Sequence, residues 1–364
     1  MFKFENRNYC EYCFEPMHPA MNVCPRCGSQ YNAAAYSDCL PVGYMLAGKY
    51  LIGRPLGQGG FGKTYLAFDF QKRARVAVKE YFPEVYAYRD SGSTMVKTKQ
   101  NSAIYKRGVK RFYEEACTLN KFRDCSQIVR VEKMYKENNT SYYVMEYLTG
   151  KDLLAYLRDN MSFDESVVID IGLELLEGLE LLHKNGVLHR DISPDNIFLC
   201  DNGQLKLIDF GASKMKMGEM SSSISAVVKP GFAPFEQYKT NESQGPWTDI
   251  YALGATLYFL LKQKRPPEAV ARIQNGALDF SGISPSFAAV LNKMMAVDPK
   301  YRFRSVYELR PVLQSLQHHQ GRQMTPAQVP RKSFPTWLKV LLIVSGTLSY
   351  ILLVILILFL LGEV

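Results

Sequence analysis

The first 330 residues contain no apolar run of membrane-spanning length, and the opening Met1-Phe2-Lys3-Phe4-Glu5-Asn6 lacks the apolar core of a secretion signal. Most of the chain is therefore expected to be soluble protein with no leader. Cysteine is scarce for a secreted fold: there are eight in 364 residues, four of them between Cys10 and Cys27 and the rest (Cys39, Cys117, Cys125, Cys200) scattered. This distribution excludes a disulfide framework and indicates a reducing, cytosolic setting. Internal repeats are absent beyond two cysteine pairs. No motif that reads nucleic acid is present, which removes the simplest meaning of a net charge of +9. With 47% hydrophobic and 22% charged residues, wholesale disorder, collagen and coiled coil are excluded as well, and the length allows two or so domains.

Charge and hydrophobicity are both unevenly placed. Residues 71–112 hold eleven Lys/Arg against three acidic residues, whereas residues 1–45 hold three against four. Residues 340–361 are 22 in a row without a charge. Four segments follow from this: a cysteine cluster over 1–40, a long globular region over 46–316, a polar, proline-containing linker over 317–337, and an apolar segment over 338–361.

Cys10-Glu11-Tyr12-Cys13 and Cys24-Pro25-Arg26-Cys27 are two C-x2-C turns separated by ten residues. Each turn aims two thiolates at one point, and together they complete the tetrahedron that Zn2+ prefers. Gly28 just after the second pair suits a tight knuckle whose N–H groups point at sulfur. The cluster resembles a zinc ribbon, a module whose fold depends on its metal. His18, between the pairs, is read as a surface residue.

The globular region opens on a strand-like run, Tyr50 to Leu56, that enters Gly57-Gln58-Gly59-Gly60-Phe61-Gly62. Glycines let backbone approach phosphate oxygens where a Cβ would collide. Residues 64–68 read as a second strand rather than a helix, so the loop is a hairpin lid and not a dinucleotide-binding turn. Arg75-Val76-Ala77-Val78-Lys79 is a further strand ending in a lysine, the arrangement that holds α- and β-phosphates.

On these residues the chain resembles the eukaryotic-type (Hanks-type) serine/threonine protein kinases, particularly bacterial ones, over residues 46–316. The resemblance implies an α+β, bilobal kinase fold with a small β-rich N-lobe and a helical C-lobe, binding ATP and Mg2+ between them. It makes Thr64 and Ala77 the lining of the adenine, Glu146 and Leu148 the hinge that faces it, and Glu115, on the apolar face of a helix, the partner of Lys79. His189-Arg190-Asp191-Ile192-Ser193-Pro194-Asp195-Asn196 matches the catalytic loop, with Asp191 accepting the substrate hydroxyl proton and Asn196 holding Mg2+. Asp209-Phe210-Gly211 supplies the second metal ligand, Asp209. Glu236 is expected to pair with Arg302, and Asp249 to anchor the catalytic loop. Residues 81–105 read as an insertion, and the basic segment around them as a solvated charged face, with docking to anionic lipid or an acidic partner as the alternative.

Two positions depart from the pattern. The family's catalytic-loop lysine is Ser193 here, and the activation-segment threonine it contacts is Lys229. One exchange accounts for both if Lys229 supplies the missing charge. Ser193 alone would favour a pseudokinase scaffold that binds nucleotide without efficient transfer. A small-molecule kinase is disfavoured by the glycine-rich lid and by Ala233-Pro234-Phe235-Glu236. Ser221, Ser222, Ser223 and Ser225 are candidate autophosphorylation sites, for which two copies would dimerise.

The 22 apolar residues at the end would span about 33 Å as a helix, enough for a hydrocarbon core of about 30 Å. Arg331, Lys332 and Lys339 precede them, which places the kinase on the cytoplasmic face of a membrane, expected to be a bacterial inner membrane. The expected partners are protein substrates and this membrane, not nucleic acid.

Overall fold

Short strands β1 (Asn8–Tyr9) and β2 (Pro16–Met17) flank the first cysteine turn and pair antiparallel. The computed structural model describes residues 8–18, 21–30, 38–99, 102–159, 162–210, 228–239 and 242–319. Next come β3 (Met45–Leu46), β4 (Tyr50–Gly59), β5 (Gly62–Asp69) and β6 (Ala74–Tyr81), then a small hairpin of β7 (Ala87–Tyr88) and β8 (Lys97–Thr98). Helix α1 (Ser102–Leu119) leads to β9 (Val131–Glu137) and β10 (Thr140–Glu146). These strands form one six-stranded sheet in the order β3-β4-β5-β6-β10-β9.

Both faces of the sheet are covered, as its Val- and Tyr-rich strands require. Tyr105, Phe112, Ala116 and Leu119 recur at helical spacing on α1 and are buried, and the Phe112 ring stacks on Tyr143 of β10 at 5.0 Å. On the opposite face Cys39, Leu40 and Leu46 pack with Tyr65, Val76, Val78, Tyr142 and Val144. Residues 39–40, expected to end the cysteine module, are thus built into the N-lobe, because leucine and cysteine complete an apolar layer there.

After β10 come β11 (Gly150–Asp152), α2 (Leu153–Arg158) and α3 (Glu165–Lys184). Asp152 caps α2, accepting from Ala155 N at 2.7 Å. Strands β12 (Ile197–Cys200) and β13 (Leu205–Leu207) join β11 in a second sheet. Helices α4 (Pro246–Lys262), α5 (Ala269–Asn275), α6 (Pro285–Met294) and α7 (Val306–His319) complete a helical lobe in which α3 packs on α4 and α7. Twelve of the 17 residues of α4 are buried and none is exposed, the mark of a central helix.

The insertion is not a uniform basic face. Arg89 is fully buried against Glu80, Lys97 pairs with Asp90, and Lys99 Nζ donates to Glu84 O at 2.8 Å. Gly211, the four serines of the activation segment and the apolar span 338–361 lie outside the described residues. Among the described residues no helix is long and apolar enough to cross a membrane.

Candidate active site

The turn between β4 and β5 exposes Gly57, Gln58, Gly59 and Gly60, with Phe61 half-buried behind them. Gly62 begins β5 against the edge of β6, where a Cβ would stand 2.3 Å from Glu80 O. Antiparallel register sets Thr64 opposite Lys79 and Ala77 opposite Met145, so these side chains share one face of the sheet. Glu146 ends β10, its N–H donating to Arg130 O at 3.0 Å and its carboxylate pairing with Lys206 at 2.8 Å. Leu148 packs against the main core just beyond.

Lys79 Nζ is ion-paired directly with Asp209. Burial alone would lower this ammonium; the charge of Asp209, then Tyr143, the hydrogen bond to Asp209 and last the charge of Glu115 outweigh burial and raise it above the ordinary lysine value. The direct ion pair of Lys79 is with Asp209. Glu115 is buried while its neighbour Glu114 is exposed, as helical periodicity requires.

The catalytic-loop candidates converge on the same place. Asn196 Nδ2 donates at 2.8 Å both to Asp191 O and to Asp191 Oδ2. Ile208 N donates to Asn196 O at 3.0 Å, which sets the residue before Asp209 against the loop. Arg190 and Asp209 both adopt left-handed backbone, at φ 65° and 56°, and non-glycine residues hold that conformation only where the surroundings fix it. Asp249 does so for Arg190: its carboxylate accepts from Arg190 N at 2.7 Å, His189 N at 2.9 Å and His183 Nε2 at 2.8 Å. Burial pushes the Asp249 carboxyl up, but the His183 hydrogen bond and the neighbouring charges hold it below the usual range. Burial also lowers Arg190, whose Nε donates to Gln244 Oε1 at 3.0 Å.

Lys229 reaches into this loop. Its ammonium donates to Ser193 Oγ and to Asp195 Oδ2, both at 2.7 Å. Burial pushes Asp195 up; the adjacent Lys229 more than offsets this and holds it low. Asp195 is the residue that motif reading left without a role. The segment after Lys229 is tied down by Arg302, which grips Glu236 with two hydrogen bonds of 2.7 and 3.0 Å, both side chains being buried.

Away from the cleft, the sulfurs of Cys10, Cys13, Cys24 and Cys27 all lie within 4.8 Å of one another, with Cys10–Cys27 and Cys13–Cys24 at 3.6 Å. Four thiolates tetrahedral about Zn2+ stand roughly 3.8 Å apart by Zn–S geometry, so the donors fit that ion. Tyr12 N–H points at Cys10 Sγ at 3.4 Å, the backbone-to-sulfur contact such knuckles use.

A strand hairpin with a glycine turn on one lobe and a carboxylate–amide cluster on the other make a two-lobed arrangement suited to phosphoryl transfer from a nucleotide. Comparison with known proteins narrows the class: the protein kinase domain family matches residues 50–319. The chain belongs to that family. It is 34% identical over 284 residues, 74% of its length, to serine/threonine-protein kinase PknA of Nostoc sp. strain PCC 7120, covering 48% of that protein. It is 28% identical over 334 residues, 87% of its length, to serine/threonine-protein kinase B of Synechocystis sp. strain PCC 6803, covering 53% of that protein. The chain thus spans about half the length of these curated relatives. Among solved structures, the apo form of PpkA-294 superposes with a TM-score of 0.68 at 31% identity, over 76% of this chain and 100% of that one. The kinase domain of Mycobacterium tuberculosis PknI shares the fold, with a TM-score of 0.56 at 20% identity over 76% and 99% of the two chains.

Proposed function

We propose that the protein is a serine/threonine protein kinase that transfers the ATP γ-phosphate to Ser/Thr hydroxyls of protein substrates. The observation that carries this is the continuous chain of contacts from Lys79 to Asp209, through Ile208 to Asn196 and on to Asp191. Asp191 is placed to accept and orient a substrate hydroxyl. Lys79, ion-paired with Asp209, would meet phosphate oxygens beneath the Gly57–Gly62 turn. Asn196 spends its Nδ2 on Asp191, which leaves its amide oxygen, with the Asp209 carboxylate, as the hard donors that magnesium takes. Bound Mg2+ would neutralise charge between the phosphates. The site's own groups act by position and charge rather than by covalent chemistry.

The pseudokinase reading rests on Ser193. The contact from Lys229 to Ser193 Oγ supports an exchange of cation between two elements rather than a loss. We further propose a structural Zn2+ on the four cysteines, autophosphorylation between copies at Ser221, Ser222, Ser223 or Ser225, and anchoring by the apolar segment 338–361 with the kinase on the cytoplasmic side.

The test is purified protein with radiolabelled ATP and a generic protein substrate, beside Asp191→Asn. Transfer by the wild type and a loss of about 100- to 10,000-fold in the variant are expected. Equal transfer by the two proteins would defeat the assignment, and nucleotide binding without transfer by the wild type would establish the scaffold.

A further inference from the structure

The β4–β5 hairpin that carries Gly57–Gly62 is gripped on both faces by the N-terminal segment. Side chains alternate along a strand, so Thr64, Leu66 and Phe68 share one face of β5 while Lys63, Tyr65 and Ala67 share the other. Thr64 and Leu66 stand opposite Lys79 and Ala77, which makes theirs the cleft face. On it Phe14, the residue after the first cysteine pair, packs with Leu51 and Leu66, and its ring centre is 5.5 Å from that of Phe68. Leu56, just before Gly57, and Tyr147, between Glu146 and Leu148, pack against the same cluster.

The knuckle itself closes this contact. Glu11 O accepts from Arg54 N at 3.1 Å, the Arg54 guanidinium lies 5.0 Å over the Tyr12 ring, and a Cβ on Gly53 would stand 2.6 Å from Glu11 O. Glu11 and Tyr12 are the two residues between Cys10 and Cys13. Phe14 is held at φ 61°, its N–H donating to Cys10 O at 2.9 Å. The backbone that sets the thiolates is therefore the backbone that touches β4, three to four residues before the phosphate turn.

The segment leaving the cysteine module returns over the opposite face. The Lys63 side chain, 0% exposed, pairs with Asp38 at 2.6 Å, and Leu40 N donates to Tyr65 OH at 3.1 Å. Tyr65 OH donates in turn to Glu80 Oε2 at 2.7 Å. A buried ammonium keeps its place only with such a partner, and Lys63 directly follows Gly62.

We propose that this two-faced grip positions the phosphate turn, so that ATP affinity depends on the metal held by Cys10, Cys13, Cys24 and Cys27, with Phe14 and Asp38 as positioning residues. It rests on reading Gly57–Gly62 as the phosphate loop. The test uses the full chain, with zinc content, titration of a fluorescent ATP analogue, steady-state kinetics and amide exchange measured together. Phe14→Ala is expected to keep its zinc, raise KM for ATP and the analogue Kd roughly tenfold with little change in kcat, and lose exchange protection over 51–68. Stripping zinc from the wild type in excess magnesium should shift KM, Kd and exchange in the same direction, and by less in Phe14→Ala, because the two changes share the Phe14 contact while Glu11 and Tyr12 still touch β4. Asp38→Asn, half-exposed on the other face, should raise KM in the same direction and covers the case in which Phe14→Ala fails to fold. Zinc-free protein with unchanged KM and unchanged exchange overturns the proposal, as does an equal further rise on stripping Phe14→Ala. A wild type that binds no ATP would overturn the nucleotide-site reading instead, while the exchange data would still report whether the grip exists.

Discussion

Lys229 is the residue at which sequence and structure inform each other most. A serine replaces a lysine in the catalytic loop, a lysine replaces a threonine in the activation segment, and folding brings the two together at 2.7 Å. The ammonium is also shared with Asp195 at 2.7 Å, which fixes it on the loop rather than leaving it in solvent. Lys229→Ala should therefore reduce kcat by at least tenfold, since a positioned cation near transferring phosphate is worth a kcal/mol or more. Ser193→Lys combined with Lys229→Thr should recover most of that loss. Steady-state assays on the three proteins check it, and full activity in the alanine variant would refute the exchange. Asp249 gives a second prediction at this scale. Its folded-state pKa is depressed, so its contribution to stability is present above the unfolded carboxylate value of about 3.9 and is lost as pH falls through the folded value. Asp249→Asn should lower stability at neutral pH and flatten the acid limb of a plot of unfolding free energy against pH. Denaturant titrations between about pH 3 and 7 read both effects.

Among the elements, the end of the activation segment is held by the most thoroughly buried ion pair among the described residues of the helical lobe. Arg302 meets Glu236 through both guanidinium nitrogens and also donates to Ala296 O at 2.6 Å and Val297 O at 2.7 Å. Thr248, in the first turn of α4, donates to the same carboxylate at 3.0 Å. Removing one partner leaves a buried charge without compensation, so Arg302→Met should cost about 3–5 kcal/mol of stability. Arg302→Lys should recover only part of it, because lysine cannot make the paired contact; urea denaturation compares the three proteins. This pair was legible in the sequence because its motif has fixed spacing, as were the glycine turn, the catalytic loop and Glu115, whose burial follows from its distance to Phe112 and Leu119. What was not legible depends on contacts far apart in the chain. Arg89 read as part of a solvated charged face and Lys63 carried no reading, yet both side chains are 0% exposed, committed to Glu80 and Asp38 through pairings that no local pattern encodes. Eight of the eleven cations of the basic segment are exposed, as a solvated face requires; Arg89 is the buried exception, because summing charge along a chain assumes that each charge reaches water.

For the whole molecule, the uneven composition resolves into parts with separate physical roles. The near-neutral cysteine module rests on the sheet hairpin, and the helical lobe builds a core in which α4 is central. Every candidate site residue described above lies before His319. The 22-residue apolar run has a length that matches a bilayer: at 1.5 Å per residue a helix of it would cover about 33 Å, and Arg331, Lys332 and Lys339 precede it. A chain truncated after His319 should keep the wild-type kcat and KM, since α7 ends there and packs against α3 and α6. The full chain should sediment with membranes and resist alkaline carbonate extraction, and the truncated one should remain in the supernatant. Replacing Leu352 and Ile355 by Arg should separate insertion from mere stickiness, because each charge near the bilayer centre costs about 2.5–3.5 kcal/mol on insertion scales while leaving most of the apolar surface in place. Carbonate resistance in that variant would overturn the transmembrane reading in favour of peripheral adhesion.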